Sequence, residues 1–245
     1  LERGGKAVLW RITMTLEVAM AGPFKPDYKP TIKQKSPLSK SPLESIVNAY
    51  IESLESFTDL VDEYSHYYLY ELIAQKIDPA TRINHDDINT FAQLTQEFED
   101  HDVYTITTGL WISCLMKRAH GNGCTKFYFD WRGLKPLDYV GFKLEGKSHN
   151  PIKVMIEGTV GEELGLASRN VVYYCRKSST IYIDASHKNV TFYIGNLDTG
   201  PIIRKFMEYI RFKVNGLDRS LYQMAEDEWE GVWNHAKKII AGDKP

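Results

Sequence analysis

The residue types that could do chemistry in this 245-residue chain are few and scattered. Asp130, Asp184 and Asp198 stand at the ends of short apolar runs. If the fold brought them together they could share acid and base roles, as convergent carboxylates do. Solvated turn aspartates would look the same. His187 lies near Asp184, so Asp130, Asp184 and His187 are the candidate catalytic residues. His120 and Cys124 are spaced like two metal ligands, but zinc takes four, or three and a water, and no further ligand lies nearby, so no metal or cofactor is expected. In Asn84-His85-Asp86-Asp87 the histidine sits beside carboxylates, an arrangement that helix capping explains more simply. There is no G-x-x-x-x-G-K-[ST] loop for phosphates, no H-E-x-x-H helix and no G-x-S-x-G elbow. Cys114, Cys124 and Cys175 are odd in number and form no C-x-x-C pair. That usage suits a reducing, cytoplasmic setting.

The elements that must position these residues fall into two halves of opposite charge. From Leu43 to Asp102, 14 acidic residues face only Lys76 and Arg82, a local charge of −12 within a chain whose net charge is −2. The remainder carries +10. Such a division can steer a partner over a range that salt limits to roughly 8–10 Å. The acidic half has helical period. Ser41-Pro42-Leu43-Glu44 reads as a capping box with proline at the first helical position. Behind it Ile46, Tyr50, Ile51, Leu54, Phe57, Val61, Tyr64, Leu69, Leu72 and Ile73 recur mostly at steps of three and four. One long helix, or two broken near Ser65, should end at Asp78-Pro79. Tyr64, Tyr67, Tyr68 and Tyr70 are expected in core and interface. A further helix should start near Asn84 with Ile88, Phe91, Leu94 and Phe98 buried, and another should run from about Tyr104 to Arg118 and stop at Gly121-Asn122-Gly123. The most apolar stretch, Val103–Met116, is 14 residues and holds three threonines and a serine, too short to span a bilayer.

From Thr125 the composition becomes that of strands: Lys126–Phe129, Lys153–Ile156, Val171–Tyr174, Thr180–Ile183 and Val190–Ile194. Ser148-x-Asn150, Ser168-x-Asn170 and Ser186-x-x-Asn189 each precede a strand, with the asparagines 20 and 19 residues apart. One strand start per fixed period predicts stacked coils, with aligned asparagines hydrogen-bonding along the ladder. The alternative is a curled antiparallel sheet whose turns favour Ser and Asn. Ile202, Phe206 and Ile210, then Leu221, Met224, Ala225, Val232 and Trp233, predict two C-terminal helices that cap an open coil end.

Val154-x-Ile156-x-Gly158-x-x-Gly161-x-x-x-Gly165 followed by Ser168-x-Asn170 resembles one turn of the glycine-rich right-handed β-helix. That domain closes the large chain of glutamate synthases and recurs in a component chain of formylmethanofuran dehydrogenase. Tyr139-Val140-Gly141 would be the preceding turn and Phe192–Gly195 the following one, so the resemblance runs from about Asp138 to Asn196. Asp184 stands where the family has glycine. The resemblance implies architecture: in those enzymes the β-helix is chiefly scaffold, and no catalytic residue carries over.

At the N-terminus Arg11 and Glu17 interrupt the apolar Ala7–Trp10, so no signal peptide is read. Met14 or Met20 is the expected start. Pro23, Pro26, Pro30, Pro37 and Pro42, with five lysines from Lys25 to Lys40 against Asp27, make an extended basic arm. The expected organisation is therefore α+β. It comprises a flexible basic arm (1–42), a helical domain (43–120), a short right-handed β-solenoid (125–200) and a C-terminal helical cap (201–245). The leading function is a non-enzymatic scaffold that docks a protein partner or itself. The alternatives are an enzyme of unrecognised type, with its site between strands and helices, and nucleic-acid binding through the basic arm.

Overall fold

The computed structural model describes residues 42–61, 63, 65–178, 182–183, 188–197, 202–203, 210–215, 222–224 and 226–241. The basic arm, the two candidate start methionines, Asp184, His187 and Asp198 lie outside them.

The helical half begins at Pro42, the first residue of helix α1 (Pro42–Phe57), as its position after Ser41 predicts. Helix α2 (His66–Lys76) follows after a break at 58–65, and α3 (His85–Leu94) follows α2. Asn84 caps α3: its Oδ1 accepts from the amides of Asp86 and Asp87, and the Asp87 carboxylate accepts from the Asn84 amide. After a 3₁₀ turn at Thr95–Phe98 comes α4 (Tyr104–Gly121), whose residues Leu110, Trp111, Ile112 and Met116 are fully buried. No described helix is long and apolar enough to cross a membrane.

The strands form a six-stranded sheet in the order β1 (Lys126–Trp131), β2 (Ile152–Val160), β3 (Arg169–Ser178), β5 (Lys188–Leu197), β7 (Ile210–Asn215), β8 (Tyr222–Met224). A second pair joins β4 (Tyr182–Ile183) to β6 (Ile202–Ile203). Every pairing between these strands is parallel, which removes the antiparallel alternative. The register Ile152↔Val171, Val171↔Val190, Val190↔Ile210 advances 19 or 20 residues per strand, and Tyr182↔Ile202 advances 20 on the second pair. In-register parallel stacking puts like positions above each other. Phe127, Val154, Tyr173 and Phe192 form one buried column, and Phe129, Ile156, Cys175 and Ile194 another. Tyr128, Met155, Tyr174 and Tyr193 stack on the opposite face. The asparagine ladder is present at two of its three positions. Asn189 Nδ2 donates to Asn170 Oδ1 at 2.8 Å, and Asn170 Nδ2 donates to the Gly146 carbonyl at 3.0 Å. Both side chains grow from left-handed backbone, with φ of 53° and 52°. Asn150 stays out because Gly146 takes its rung.

The predicted helix through Ile202, Phe206 and Ile210 does not form in the described residues. Ile202–Ile203 and Ile210–Asn215 are strands, because their β-branched residues fall in phase with the 20-residue register. Of the second predicted helix, Met224 falls in strand β8, and Trp233 lies in the one C-terminal helix among the described residues, α5 (Glu226–Ala241). It lies across the outer face of β1 and β2, where Trp233 and Ala236 pack on Met155 and Tyr174. The β1 end of the stack is covered from the other terminus: α3 packs on β1, and Asn89 Nδ2 donates to the Tyr128 carbonyl at 2.9 Å.

Helices and sheet share one hydrophobic core, which runs from Leu43 to Ile194. Helix α4 joins them. The Asp138 amide donates to the Thr105 carbonyl, Ser113 Oγ lies 2.7 Å from the Tyr139 carbonyl, and the Phe142 amide donates back to that hydroxyl. This approach requires Gly109, where a Cβ would sit 1.7 Å from the Asp138 carbonyl oxygen. Inside the coil, Gly141 and Gly165 have φ of 77° and 68°, and a Cβ on either would strike the buried Tyr173 ring. Thus Gly165, the last glycine of the G-x-x-G-x-x-x-G run, is set by one tyrosine.

Gly109→Ala should lower stability by about 3 kcal/mol or more, through overpacking against backbone that cannot yield. Gly121→Ala on the same helix has no atom within 4 Å of the new Cβ and should leave stability unchanged or higher. Thermal denaturation of the two variants checks this. Asn170→Gly keeps the left-handed backbone but loses the ladder, and should cost about 1 kcal/mol. Asn170→Ala should cost about 1 kcal/mol more, the strain of a Cβ there.

Candidate functional site

Outward positions on β1 and β2 alternate with the core, so Tyr128 and Asp130 share a face with Met155 and Glu157. At Glu157 the β2–β3 register slips between Ile156 and Thr159, a bulge of the kind that re-aims a side chain. Helix α5 brings Lys237 and Glu230 across this face. The Tyr128 hydroxyl donates to Glu157 Oε2, Lys237 Nζ lies 3.1 Å from Glu157 Oε1, and Arg176 pairs with Glu230. The Arg176 guanidinium stands 4.3 Å above the Trp233 ring, and Lys126 Nζ caps the C-terminal turn of α5 at the Ile239 carbonyl. Asp130 turns instead to Arg132, which holds both its oxygens at 2.8 and 2.6 Å.

Beside this cluster lies a pocket of about 400 Å³ lined by His85, Tyr128, Lys237, Ile240 and Ala241. Its chemistry follows from the pairing. Burial would raise the Glu157 carboxyl, but the hydrogen bonds from Tyr128 and Lys237 outweigh it and hold the group below the usual carboxylate range. Burial and the hydrogen bond to Glu157 push the Tyr128 phenol up to about 12. Arg132 holds Asp130 low. At neutral pH the two carboxylates are ionised acceptors and the phenol is protonated, so none is poised to exchange a proton. The cluster works as a clasp that ties α5 to the sheet.

Of the candidate catalytic residues, Asp130 therefore sits in an exposed ion pair next to the clasp, while Asp184 and His187 lie outside the described residues. His120 and Cys124 do not form a ligand pair: His120 Nδ1 meets the Cys124 carbonyl at 2.9 Å, and the Cys124 thiol turns to the Lys126 carbonyl. His85 Nε2 pairs with Asp86 at 3.1 Å beside the cap. Among the described residues, no three His, Cys, Asp or Glu side chains are grouped to hold a metal. Glu157 and Lys237 were missed by sequence reasoning. The signal for Glu157 was its register partner: it stands directly opposite Asp130. Lys237, 80 residues away, carried none.

A second feature lies on the helical half. Tyr67 and Tyr68, at 38% and 46% exposure, are the large hydrophobic side chains left exposed among the described residues. Tyr67 packs edge-on against Phe142 at 4.9 Å, under the Lys143 ammonium at 5.0 Å, and His66 stacks on Tyr139 at 4.7 Å. Burial and Lys143 lower the His66 pKa, so this imidazole is neutral and part of the aromatic packing. Tyr70, from the same expected cluster, is core; Tyr64 lies outside the described residues.

Because the folded-state pKa of Glu157 is depressed, its contribution to stability is full above the carboxylate range and is lost as pH falls through the folded value. Glu157→Gln should therefore be less stable than the parent by about 2 kcal/mol at neutral pH. The gap should close on acidification below about pH 4, as read by paired thermal melts. No family model matches the chain, and no curated protein or solved structure matches it.

Proposed function

We propose that this protein is a non-enzymatic interaction module that offers the acidic, aromatic face of its helical half to a basic protein surface. The observation that carries the reading is the exposure of Tyr67 and Tyr68, with Tyr67 seated edge-on against Phe142. Exposed tyrosines with little entropy left to lose are what interface centres use. Glu71 stands beside them, paired with the Lys143 that lies over the Tyr67 ring, and the helical half also exposes Glu52, Glu55, Asp59 and Glu63, of which Glu52 pairs with Lys76. The scaffold beneath is in this reading a right-handed β-solenoid. The 19–20-residue parallel register supports it, as does the right-handed preference of parallel crossovers. The likeness to the glycine-rich β-helix points the same way.

One observation favours the rival reading of an enzyme with its site between strands and helices: the pocket of about 400 Å³ at Tyr128, Lys237 and His85. The nucleic-acid reading rests on the basic arm, outside the described residues.

The full chain and its Tyr67→Ser/Tyr68→Ser variant are to be compared as baits in nuclease-treated lysate. A single stoichiometric partner is expected on the parent, released by salt and lost from the variant. Equal retention by both baits, or an empty parent bait at high concentration, would overturn the reading and promote the pocket.

A further inference from the structure

His66 occupies a place that suits only its neutral form. It is the first residue of α2, directly after the break at 58–65. Other rings enclose its imidazole: Tyr139 stacks on it at 4.7 Å, Tyr67 lies at 4.8 Å, and Phe142 meets it edge-on at 5.3 Å. Nε2 is buried and has no hydrogen-bond partner among the described residues.

Three features oppose a proton on this ring. The first is the enclosure, where an imidazolium N–H would have neither water nor an acceptor. Aromatic faces can stabilise a cation, but here Lys143 already takes them: its ammonium lies 5.0 Å over Tyr67, 5.4 Å over Tyr70 and 5.8 Å over Phe142. The second is the charge of that same ammonium, carried by the segment 137–146 against which the ring packs. The third is the start of the helix. Ser65 makes no capping bond with its side chain and the first turn holds no acidic residue, so the positive end of the helix dipole is left uncompensated there. The other charged groups on these elements are engaged elsewhere. Glu71 of α2 pairs with Lys143 at 2.7 Å, Asp138 accepts from the Glu162 amide at 2.7 Å, and Lys117 of α4 stands 5.8 Å over the Tyr70 ring. Burial raises both the Tyr70 phenol and the Cys114 thiol of α4, so neither supplies a negative charge. Burial first, and Lys143 second, hold the His66 pKa below the ordinary imidazole value.

We propose that His66 is an acid-sensitive latch, whose protonation breaks the stack on Tyr139 and frees the first turn of α2 from the segment 137–146. A group of this kind takes its proton more readily when unfolded. Its contribution to stability is therefore full above the unfolded value of about 6.5 and is lost as pH falls from there towards the lower folded value. Tyr67 and Tyr68 ride on the same turn, so acid would also take apart the docking face. That consequence rests on the reading above, whereas the latch does not.

Histidine ring titration by NMR on the full chain tests the latch without any partner, the His66 signal being assigned by its loss in His66→Phe. Its midpoint should lie below about 6.5 and should rise in Lys143→Met, which removes the neighbouring charge. Amide exchange across Tyr67–Tyr70, corrected for intrinsic rates, should be roughly tenfold faster at about pH 5 than at about pH 7.5 in the parent. In His66→Phe, which keeps a ring there but takes no proton, it should not change with pH. His66→Gln provides the same comparison with a smaller side chain. A His66 midpoint at or above the ordinary value would overturn the proposal. So would equal acid sensitivity of this turn in the parent and in both His66 variants.

Discussion

The backbone of α4 meets the backbone of the first return segment of the coil with nothing between them, and both halves of the protein are built around that contact. Gly109 permits it, and Ser113 fixes it by placing one hydroxyl between the Tyr139 carbonyl and the Phe142 amide. Only one hydroxyl hydrogen is available, so the Gly109 and Tyr139 carbonyls share it while the oxygen accepts from Phe142. From there order passes in both directions. Outward, α4 carries the aromatic packing of Trp111 with Tyr50 and Phe91. Inward, the segment from Leu137 to Gly146 hydrogen-bonds to the next one, 161–169, through Tyr139, Lys143 and Gly146. The coil thus begins against a helix and not against water, which protects a parallel stack at its otherwise open end.

The other terminus is attached differently. Helix α5 does not close the far end of the stack but lies across the outer face, over the columns headed by Tyr128. Its hold is a small apolar patch at Trp233 and Ala236 flanked by charge pairs to Glu157 and Arg176 and by the Lys126 ammonium on the Ile239 carbonyl. The groups that retain the helix also hold the Glu157 carboxyl in its ionised form.

Several features were legible from local sequence because local physics decides them. The Asn84–Asp87 cap, the helix break near Ser65, the termination of α4 at Gly121 and the phase of the asparagines are set by residues within one turn or one repeat.

Beyond that range sequence was silent or misleading. Ile202, Phe206 and Ile210 have helical spacing, yet the described parts of that stretch are strands, because a growing parallel stack supplies partners that no local window contains. Asp130 stands out in the sequence by residue type and position alone. The tertiary structure decided that Arg132 engages it, and that Glu157, joined by Tyr128 and by Lys237 from the far end of the chain, is the carboxylate at the centre of the clasp. What the sequence determined by itself was the period: strand phase, cap positions and the segregation of charge. What only the tertiary structure decided was which polar side chains meet, as Glu157 meets Tyr128 and Lys237, since that depends on distances between segments that the chain brings together from tens of residues apart.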